Sequence, residues 1–385
     1  MIPYGKQNVT EEDIKAVVAV LKSDYLTQGP KLPEFETKFA QNVGVKHAFA
    51  VNSATSALHL ACVALGLSVG DILWTSPISF VASSNCALYC GAEVDFVDIN
   101  VDTINICISS LRQKLTIADK LGTLPKVLVV VHMCGTPADM EAIHQLSLVY
   151  GFKIIEDASH AIGARYNNTK IGDCRYSDIA VFSLHPVKII TTGEGGILTT
   201  NNEKIAKTVA LRRSHGITRD PDLFTNDTHG PWYYEQIELG YNYRLTDIQA
   251  ALGVSQLNRL QEVVSKRNSI HIRYKELLSA LPLFHQEICE GTTSSMHLHI
   301  LQLDLKEVGV SRKEVLTKLQ DLGVGVNVHY MPIVMQPYYR NLGFNIKNYP
   351  NAELYYSRCF TIPLFPELTD DQQEHVTNSI KLVLE

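Results

Sequence analysis

A lysine occupies an unexpected place in the segment VFSLHPVKIITTGEGG, which runs from Val181 to Gly196. Lys188 stands between two stretches that are predicted to be buried strands, where an amine is unfavourable unless it is paired or used chemically. An earlier apolar strand, FKIIED, ends at Asp157. A buried lysine amine with a lowered pKa is a nucleophile that forms Schiff bases. Lysine and aspartate at adjacent strand ends match the needs of pyridoxal phosphate, which are a Schiff-base amine and an anion facing the pyridinium nitrogen.

Both residues also have a purely structural interpretation. Asp157 could cap a following helix, and Lys188 could extend from a loop into solvent. The polar turn TTGEGG follows Lys188, and its glycines allow backbones to approach closely. This turn weakens the interpretation of Lys188 as a surface lysine.

A phosphate site is predicted at NSATSAL, where the strand HAFAV ends and a helix begins near Thr55. Unpaired N–H groups and hydroxyls at a helix N-terminus suit a phosphate, but simple capping by Ser53 or Thr55 would give the same pattern. Phe80, in SPISFVASSN, stands at the next strand end. Its ring could stack on a cofactor or belong to the core.

The elements that position these residues form an alternating pattern from about Lys46 to Thr200. Short β-branched runs alternate with helix-like stretches, which indicates a mainly parallel sheet covered on both faces. Ligands of such sheets bind where strands end and helices begin. After Leu245 the sequence predicts one long helix and then a smaller α+β region with strands at MHLHILQLDL and VNVHYMP. We therefore predict a large domain over residues 1–255 and a small domain over residues 256–385.

Composition excludes several classes of function. The chain of 385 residues has a net charge of -6 and no long basic run, so nucleic acid and anionic membranes are not expected partners. Its apolar runs are too short to cross a bilayer, and its start has no apolar signal-peptide core, so we expect a cytoplasmic protein. The eight cysteines include no CxxC pair, which argues against a zinc site, and a disulfide framework does not suit so large a chain.

Several longer segments carry a resemblance that extends over the whole chain. In order they are YLTQGPKLPEFETKFA, NSATSALHLA, TSPISFVASSN, GAEVDFVDI, EDASHAIGA, FSLHPVKIITTGEGG, LRRSHGI, LGYNYRLTDIQAALGVSQL, VHYMPI and TIPLFPEL. Together they resemble the sugar-nucleotide aminotransferase family typified by DegT, DnrJ, EryC1 and StrS. The resemblance implies the α/β architecture of fold-type-I pyridoxal-phosphate enzymes, with a large, mainly parallel-sheet domain and a smaller C-terminal α+β domain. It also implies a homodimer whose subunits share each active site.

The resemblance implies a role for each cofactor-binding position. Lys188 would bind the cofactor and move a proton between substrate and cofactor carbons, and Asp157 would pair with the pyridinium nitrogen. The other implied positions are Phe80 stacked on the ring, His160 beside the phenolic oxygen, Ala54, Thr55 and Ser183 at the phosphate, and Asn242, which would reach the phosphate region of the partner subunit.

Within the family, NSATSAL, TSPISFVA, EDASHA, FSLHPVK and RSHGI are most similar to one subgroup, the UDP-4-amino-4,6-dideoxy-N-acetyl-β-L-altrosamine transaminases of pseudaminic acid biosynthesis. Ala54, where the family usually has glycine, favours this subgroup. The implied reaction transfers an amino group from L-glutamate to C4 of a UDP-4-keto-6-deoxy-N-acetyl-hexosamine. His299 and Ile189 depart from the family pattern, and His299 could alter the sugar contacts. The implied substrate contacts are Tyr4, Asp24, Tyr25, Leu26, Thr27, Asn327, Val328, His329 and Tyr330.

Other functions fit parts of the same pattern. One is a different nucleotide-sugar C4 or C3 aminotransferase, because side chains do not reveal sugar stereochemistry. A dehydratase of the same fold uses histidine where this chain has Lys188, so the lysine argues against it. A non-catalytic, cofactor-binding regulator would not respond to glutamate, and a structural scaffold would bind no cofactor.

Overall fold

The computed structural model describes residues 1–384. The α-helices of this range are Glu11–Leu21 (α1), Lys31–Val43 (α2), Ala54–Ala64 (α3), Ala82–Tyr89 (α4), Ile108–Leu121 (α5), Met140–Tyr150 (α6), Glu203–Arg212 (α7), Asp247–Leu257 (α8), Leu260–Leu277 (α9), Arg312–Asp321 (α10), Pro337–Asn341 (α11), Pro350–Arg358 (α12) and Asp370–Leu384 (α13). The strands are His47–Val51 (β1), Ile72–Thr75 (β2), Glu93–Phe96 (β3), Val127–Val131 (β4), Lys153–Asp157 (β5), Arg165–Tyr166 (β6), Thr169–Lys170 (β7), Ile179–Ser183 (β8), Gly196–Thr200 (β9), Ile217–Thr218 (β10), Glu235–Gln236 (β11), Leu283–His285 (β12), Thr292–Thr293 (β13), His299–Leu303 (β14) and Cys359–Ile362 (β15).

A seven-stranded sheet in the order β1-β9-β8-β5-β4-β2-β3 forms the centre of the protein. The strands from β3 to β8 in this order are parallel neighbours. Strand β9 runs antiparallel to both β8 and β1. Every residue of β4 and β8 is buried, as expected for strands that are covered on both faces. The predicted α/β fold of type I, with a mainly parallel sheet, is therefore confirmed.

Separate apolar clusters cover the two faces of this sheet. Alternate residues of β4 enter different clusters, with Leu128 and Val130 on one face and Val127 and Val129 on the other. The second face is the one against which α3 and α4 pack. Burial on both faces explains why these strands are continuous apolar runs in the sequence.

A third apolar cluster is built largely from the C-terminal part of the chain. It combines residues of α9, α10 and α13 with the antiparallel sheet β12-β14-β15. The chain start is tied to this region, because the Ile2 N–H donates to the Gly323 carbonyl (2.8 Å) and the Leu364 N–H donates to the Tyr4 carbonyl (3.0 Å). The smaller C-terminal α+β region is thus present, and the boundary predicted at residue 255 falls inside α8 and stays a prediction.

Two predicted elements were wrong in detail. The long helix predicted after Leu245 is two helices, α8 and α9, because the chain leaves the helical conformation near Arg259, whose guanidinium donates to the Asp13 carboxylate (2.8 Å). The predicted strand VNVHYMP is irregular and keeps only an isolated bridge between Asn327 and Thr361. Its side chains are instead used around a cavity described below. Within residues 1–384, no helix has both the length and the apolar character that a bilayer crossing requires.

Close packing of β9 against the start of α3 depends on a glycine. Gly196 pairs with Val51 at the end of β1, beside the turn that leads into α3. A Cβ atom on Gly196 would lie 2.5 Å from the Ser53 carbonyl carbon and 2.6 Å from the Ala54 nitrogen. Main-chain atoms cannot rotate away, so only glycine allows this approach.

We expect Gly196→Ala to lower the free energy of unfolding by about 1–3 kcal/mol, because the added methyl group overpacks against fixed backbone. Urea unfolding would measure the change. Gly309→Ala is the matched control, since no atom lies within 4 Å of its Cβ position; its effect should stay within about 0.5 kcal/mol. Equal stabilities for the two variants would contradict the contact between β9 and the turn.

Candidate active site

A cavity of about 970 Å³ opens at the carboxyl edge of the central sheet. Val131, Asp157 and Ser183 line it, and they are the last residues of β4, β5 and β8. The carboxyl ends of parallel neighbours lie on one edge, which is where ligands bind in open α/β sheets. The cavity therefore lies where the sequence pattern predicts a ligand site.

Most of the predicted site residues meet in this cavity. Those that line it are Tyr4, Ala54, Thr55, Phe80, Asp157, His160, Ser183, Lys188, Asn327, Val328, His329 and Tyr330. Asn242 and the segment Asp24–Thr27 do not line it, and both are exposed. The roles assigned to all of these residues stay predictions.

Lys188 lies in the connection between β8 and β9, and its side chain is half-buried in the cavity wall. Burial lowers the pKa of its amine to about 8, with the nearby Asp157 carboxylate acting in the opposite direction. A larger fraction of this amine is uncharged at neutral pH than in free lysine, so it is the better nucleophile. The interpretation as a lysine extended into solvent does not hold.

Asp157 is held by two hydrogen-bond donors. The Ser83 hydroxyl donates to Oδ2 (2.6 Å), and the Ser159 N–H donates to Oδ1 (3.1 Å). Ser83 in turn shares a hydrogen bond with the Ser79 hydroxyl (2.7 Å). No helix follows Asp157 before β6 within the described chain, so the helix-capping interpretation does not hold. Each carboxylate oxygen can accept more than one hydrogen bond, which leaves capacity for a cationic ligand group.

The turn before α3 serves both as a cap and as part of the cavity. The Ser53 hydroxyl accepts from the Ser56 N–H (3.1 Å), and the Ser53 carbonyl accepts from the Ala57 N–H (3.1 Å). The N–H groups of Ala54 and Thr55 come before Ser56 in the chain and take no part in these two bonds. They lie at the positive end of the helix dipole. The capping interpretation is therefore correct, and it leaves these donors for an anion.

A cluster of rings forms another part of the wall. Burial holds the pKa of His160 well below its ordinary value, with Lys188 adding to the effect, so the imidazole is neutral. Its Nε2 lies 3.2 Å from the Tyr330 hydroxyl, and its Nδ1 is buried without a hydrogen-bond partner among residues 1–384. Phe80 lines the cavity with 59% of its surface exposed, so it is not a core residue.

Several residues of the site were not predicted from the sequence. His297 lines the cavity with its ring centroid 4.5 Å from that of His160. Ser79 and Ser83 support Asp157, and their four-residue spacing was the only local signal for them. His299, named above as a departure that could alter the sugar contacts, is buried in β14 and does not line the cavity.

These groups fit pyridoxal phosphate. Lys188 supplies an amine with a lowered pKa, Asp157 supplies an anchored carboxylate, and the Ala54–Thr55 turn supplies free donors for a phosphate. The unpaired, buried Nδ1 of His160 leaves a hydrogen-bonding position for a ligand oxygen. Among the described residues, no group of three or more histidine, cysteine or acidic side chains is arranged to hold a metal ion.

Comparison with known proteins shows relatives over the full length of the chain. Residues 7–381 match the DegT/DnrJ/EryC1/StrS aminotransferase family. The UDP-4-amino-4,6-dideoxy-N-acetyl-β-L-altrosamine transaminase of Campylobacter jejuni is 37% identical, covering 100% of this chain and 98% of that protein. The spore coat polysaccharide biosynthesis protein SpsC of Bacillus subtilis is 36% identical, covering 99% and 96%.

Solved structures agree with these relatives in fold. Helicobacter pylori PseC, an aminotransferase involved in pseudaminic acid biosynthesis, superposes with a TM-score of 0.90 at 31% identity and covers 100% of this chain and 99% of its own. The sugar aminotransferase Spr1654 of Streptococcus pneumoniae, in its PMP-form, gives a TM-score of 0.90 at 28% identity with the same coverage. From its family match, its full-length relatives and its site, the chain belongs to the DegT/DnrJ/EryC1/StrS aminotransferase family and is a pyridoxal-phosphate-dependent aminotransferase.

Proposed function

We propose that the protein is a nucleotide-sugar aminotransferase that moves an amino group from L-glutamate to C4 of a UDP-4-keto-6-deoxy-N-acetyl-hexosamine. In this proposal it acts as a UDP-4-amino-4,6-dideoxy-N-acetyl-β-L-altrosamine transaminase in pseudaminic acid biosynthesis. The observation that carries the proposal is the meeting of Lys188, Asp157 and the Ala54–Thr55 turn in one cavity of about 970 Å³. That volume is at the upper end of ligand pockets, as a substrate with a nucleotide and a sugar requires.

The named relatives support this substrate. The Campylobacter jejuni transaminase carries the proposed activity in its name and matches the chain from end to end. Helicobacter pylori PseC, which is described as acting in the same biosynthesis, has the same fold at 31% identity. Bacillus subtilis SpsC is similar to the same degree, which keeps another nucleotide-sugar aminotransferase as the second candidate.

Lys188 and Asp157 have separate roles in the proposed reaction. When bound, pyridoxal phosphate supplies an electron sink for the carbon that carries the amine. Lys188 holds the cofactor and then carries a proton between the reacting carbons, which requires that its amine be able to exist uncharged. Asp157 would place its carboxylate at the pyridinium nitrogen of the bound cofactor, and its serine and backbone donors fix the carboxylate before the reaction begins.

The substrate is proposed to lie against a rim of aromatic and polar side chains. Tyr4 and His329 are neighbours at the cavity, with ring centroids 5.3 Å apart, and Tyr330 lies 6.4 Å from Phe80 by the same measure. The His329 ring is fixed by the Thr361 hydroxyl at 2.8 Å from Nδ1. Rings and amides of this kind suit the sugar and base of a nucleotide sugar, and Asn327 supplies such an amide.

The predicted residues that lie outside the cavity are exposed, and both lie near the start of α8, one through a hydrogen bond and the other along the chain. The Asp247 N–H donates to the Leu26 carbonyl (3.0 Å), so the segment Asp24–Thr27 lies beside the start of α8. Asn242 precedes that helix by a few residues, and its carbonyl accepts from the Asn52 side chain (3.4 Å). We propose that this region contacts the partner in a homodimer, where Asn242 reaches the partner's phosphate site and Asp24–Thr27 contact substrate.

The charge state of Lys188 gives a pH prediction. A pKa of about 8 leaves roughly a tenth of the amine uncharged at pH 7, far more than in free lysine. Reductive methylation of the cofactor-free protein with formaldehyde should therefore modify Lys188 with a rate that rises with pH and levels off above about pH 8. Mass spectrometry of the digested protein would follow each lysine, with exposed Lys306 as the comparison lysine.

Asp157→Asn is the matched variant for that experiment. The Asp157 carboxylate raises the pKa of Lys188, so its loss should move the profile to lower pH. Formaldehyde has neither ring nor phosphate, so the profile does not depend on cofactor contacts. Two outcomes would contradict the effects of burial and of Asp157 on the Lys188 pKa. One is a profile that moves to higher pH in Asp157→Asn, and the other is a profile in the parent protein that does not level off below pH 10.

The substrate is tested by the absorption spectrum of the holoenzyme. L-Glutamate should remove the band of the lysine-bound cofactor, and the UDP-4-keto sugar that leads to β-L-altrosamine should restore it. Lys188→Ala should lose at least about 10²-fold in turnover, whereas Lys306→Ala should keep it. If only a different keto sugar restores the band, the proposed substrate is wrong and the proposed aminotransferase reaction is retained. A bound cofactor that does not respond to glutamate or any keto sugar would support a regulator instead.

A further inference from the structure

A histidine in the cavity wall has unused hydrogen-bonding capacity. His297 lies between β13 and β14 and lines the cavity, although only 4% of its surface is exposed. Neither nitrogen of its ring makes a hydrogen bond within residues 1–384, and Nδ1 is buried without a partner. A buried polar side chain without a partner is unfavourable, so it points to a ligand that supplies one.

The backbone that carries this ring is fixed on several sides. The His297 N–H donates to the Cys134 carbonyl (2.8 Å), and its carbonyl accepts from the Arg267 guanidinium (3.2 Å). The hydroxyl of nearby Ser295 donates to the His160 carbonyl (2.8 Å). The segment before β14 is therefore tied to the connections that follow β4 and β5, and it holds the ring at one place in the wall.

A glycine makes this close approach of segments possible. Gly135 has a φ of +91°, and its carbonyl accepts from the Ser295 N–H (3.1 Å). A Cβ atom at this position would lie 2.7 Å from the His160 carbonyl oxygen. That oxygen belongs to the backbone and cannot rotate away, so glycine is required where the segments meet.

The imidazole of His297 is neutral and presents an N–H group. Burial holds its pKa well below the ordinary value, and His160, Lys188 and Arg267 act in the same direction. Its buried Nδ1 meets no acceptor, and an orphaned N–H is rarer in proteins than an orphaned acceptor, so the ring proton belongs on Nε2. Because Nδ1 is the buried nitrogen, the ring meets the cavity through the side that carries Nε2.

The other histidines close to Lys188 already use a ring nitrogen. Nε2 of His160 lies 3.2 Å from a tyrosine hydroxyl, and Nδ1 of His329 lies 2.8 Å from a threonine hydroxyl. His297 differs from both because its ring has no hydrogen-bond partner within residues 1–384. Its N–H group is therefore available to a substrate that reacts next to Lys188.

An amino acid that supplies the amino group brings a charged oxygen group to this place. Its amine must react where the Lys188 amine is attached, so the carboxylate on the same carbon lies close by. Within residues 1–384, Lys188 is the only lysine or arginine that lines the cavity, and its amine is used for the cofactor. A carboxylate that loses water there is stabilised only if uncharged N–H or O–H groups of the wall donate to it.

We propose that His297 is a substrate-binding residue whose Nε2–H donates a hydrogen bond to the carboxylate of the amino-acid substrate. An uncharged N–H group suits a cavity that binds two unlike substrates in turn. It can donate to the carboxylate of the amino acid and afterwards to a hydroxyl of the sugar, whereas a cation would be left unpaired by the sugar. The proposal requires an amino acid as the source of the amino group, but it does not depend on which amino acid or which sugar is used.

The test compares two reagents that differ by a carboxylate. Aminooxyacetate and methoxyamine both displace Lys188 from the bound cofactor, and loss of the absorption band of the lysine-bound cofactor gives the rate for each. We define the selectivity as the aminooxyacetate rate divided by the methoxyamine rate. In the parent holoenzyme it should exceed the selectivity of free pyridoxal phosphate by about tenfold or more, because hydrogen bonds to charged groups contribute this much. Neither reagent is glutamate or a sugar, so the result is separate from the test of those substrates.

Two variants of similar side-chain size separate the hydrogen bond from packing. His297→Leu removes both nitrogens and should lower the selectivity to that of free pyridoxal phosphate, with the methoxyamine rate unchanged. His297→Gln keeps an N–H donor and should retain a selectivity clearly above that of His297→Leu. His299→Gln is the matched control, because His299 is equally buried in the next strand and does not line the cavity, and it should keep the parent selectivity.

The absorption band of the bound cofactor shows that each variant is folded. If His297→Leu does not hold the cofactor, His297→Asn takes its place, since its shorter amide cannot reach the position of Nε2. Any of three results would overturn the proposal: a parent protein without selectivity for aminooxyacetate, an unchanged selectivity in His297→Leu, or an equal loss in His297→Gln and His297→Leu. A fall in the methoxyamine rate as large as that for aminooxyacetate would also overturn it, because His297 would then act on the cofactor and not on the carboxylate.

Discussion

The partial burial of the Lys188 side chain at the carboxyl edge of the sheet is the constraint on which the site depends. Burial makes the amine less basic, while the Asp157 carboxylate nearby limits the effect. The two residues are brought together because β5 and β8 are parallel neighbours and both end at this edge. The chain then returns antiparallel through β9, whose first residue touches the Ser53 turn. One connection therefore positions both the amine and the turn before α3.

Strand β5 carries two adjacent carboxylates, and the pleat of the sheet separates their environments. Asp157 lies on the face where α3 and α4 pack, whereas Glu156 points to the opposite face. There Glu156 accepts from Ser177 (2.5 Å) and pairs with Nε2 of His132 (2.8 Å), whose Nδ1 accepts from the Ala138 N–H (3.1 Å). His132 is therefore a satisfied structural group. The sheet keeps this buried pair away from the cavity, so of the two β5 carboxylates it is Asp157 that lines the cavity.

The sequence allowed prediction of those parts of the fold and site that depend on local pattern. Apolar runs such as β4 and β8 predicted a sheet buried on both faces, and strand ends located Asp157, Lys188 and the Ser53 turn. Contacts between distant segments were not visible. Ser83 and Asp157 meet only in the folded protein, where α4 lies beside the end of β5. The stretch around His329 has the apolar alternation of a strand, but in the structure it is irregular and its hydrogen bonds go to Thr361 and Tyr355.

The residues proposed for chemistry and those proposed for substrate selection come from different parts of the chain. The groups for the cofactor lie at one edge of the central sheet, whereas the proposed substrate rim comes from Tyr4 and the segment 327–330. Both rim segments are hydrogen-bonded to the C-terminal part of the chain, through Leu364 and Thr361. A change in the packing of β15 can therefore move the rim while Lys188 and Asp157 stay in place.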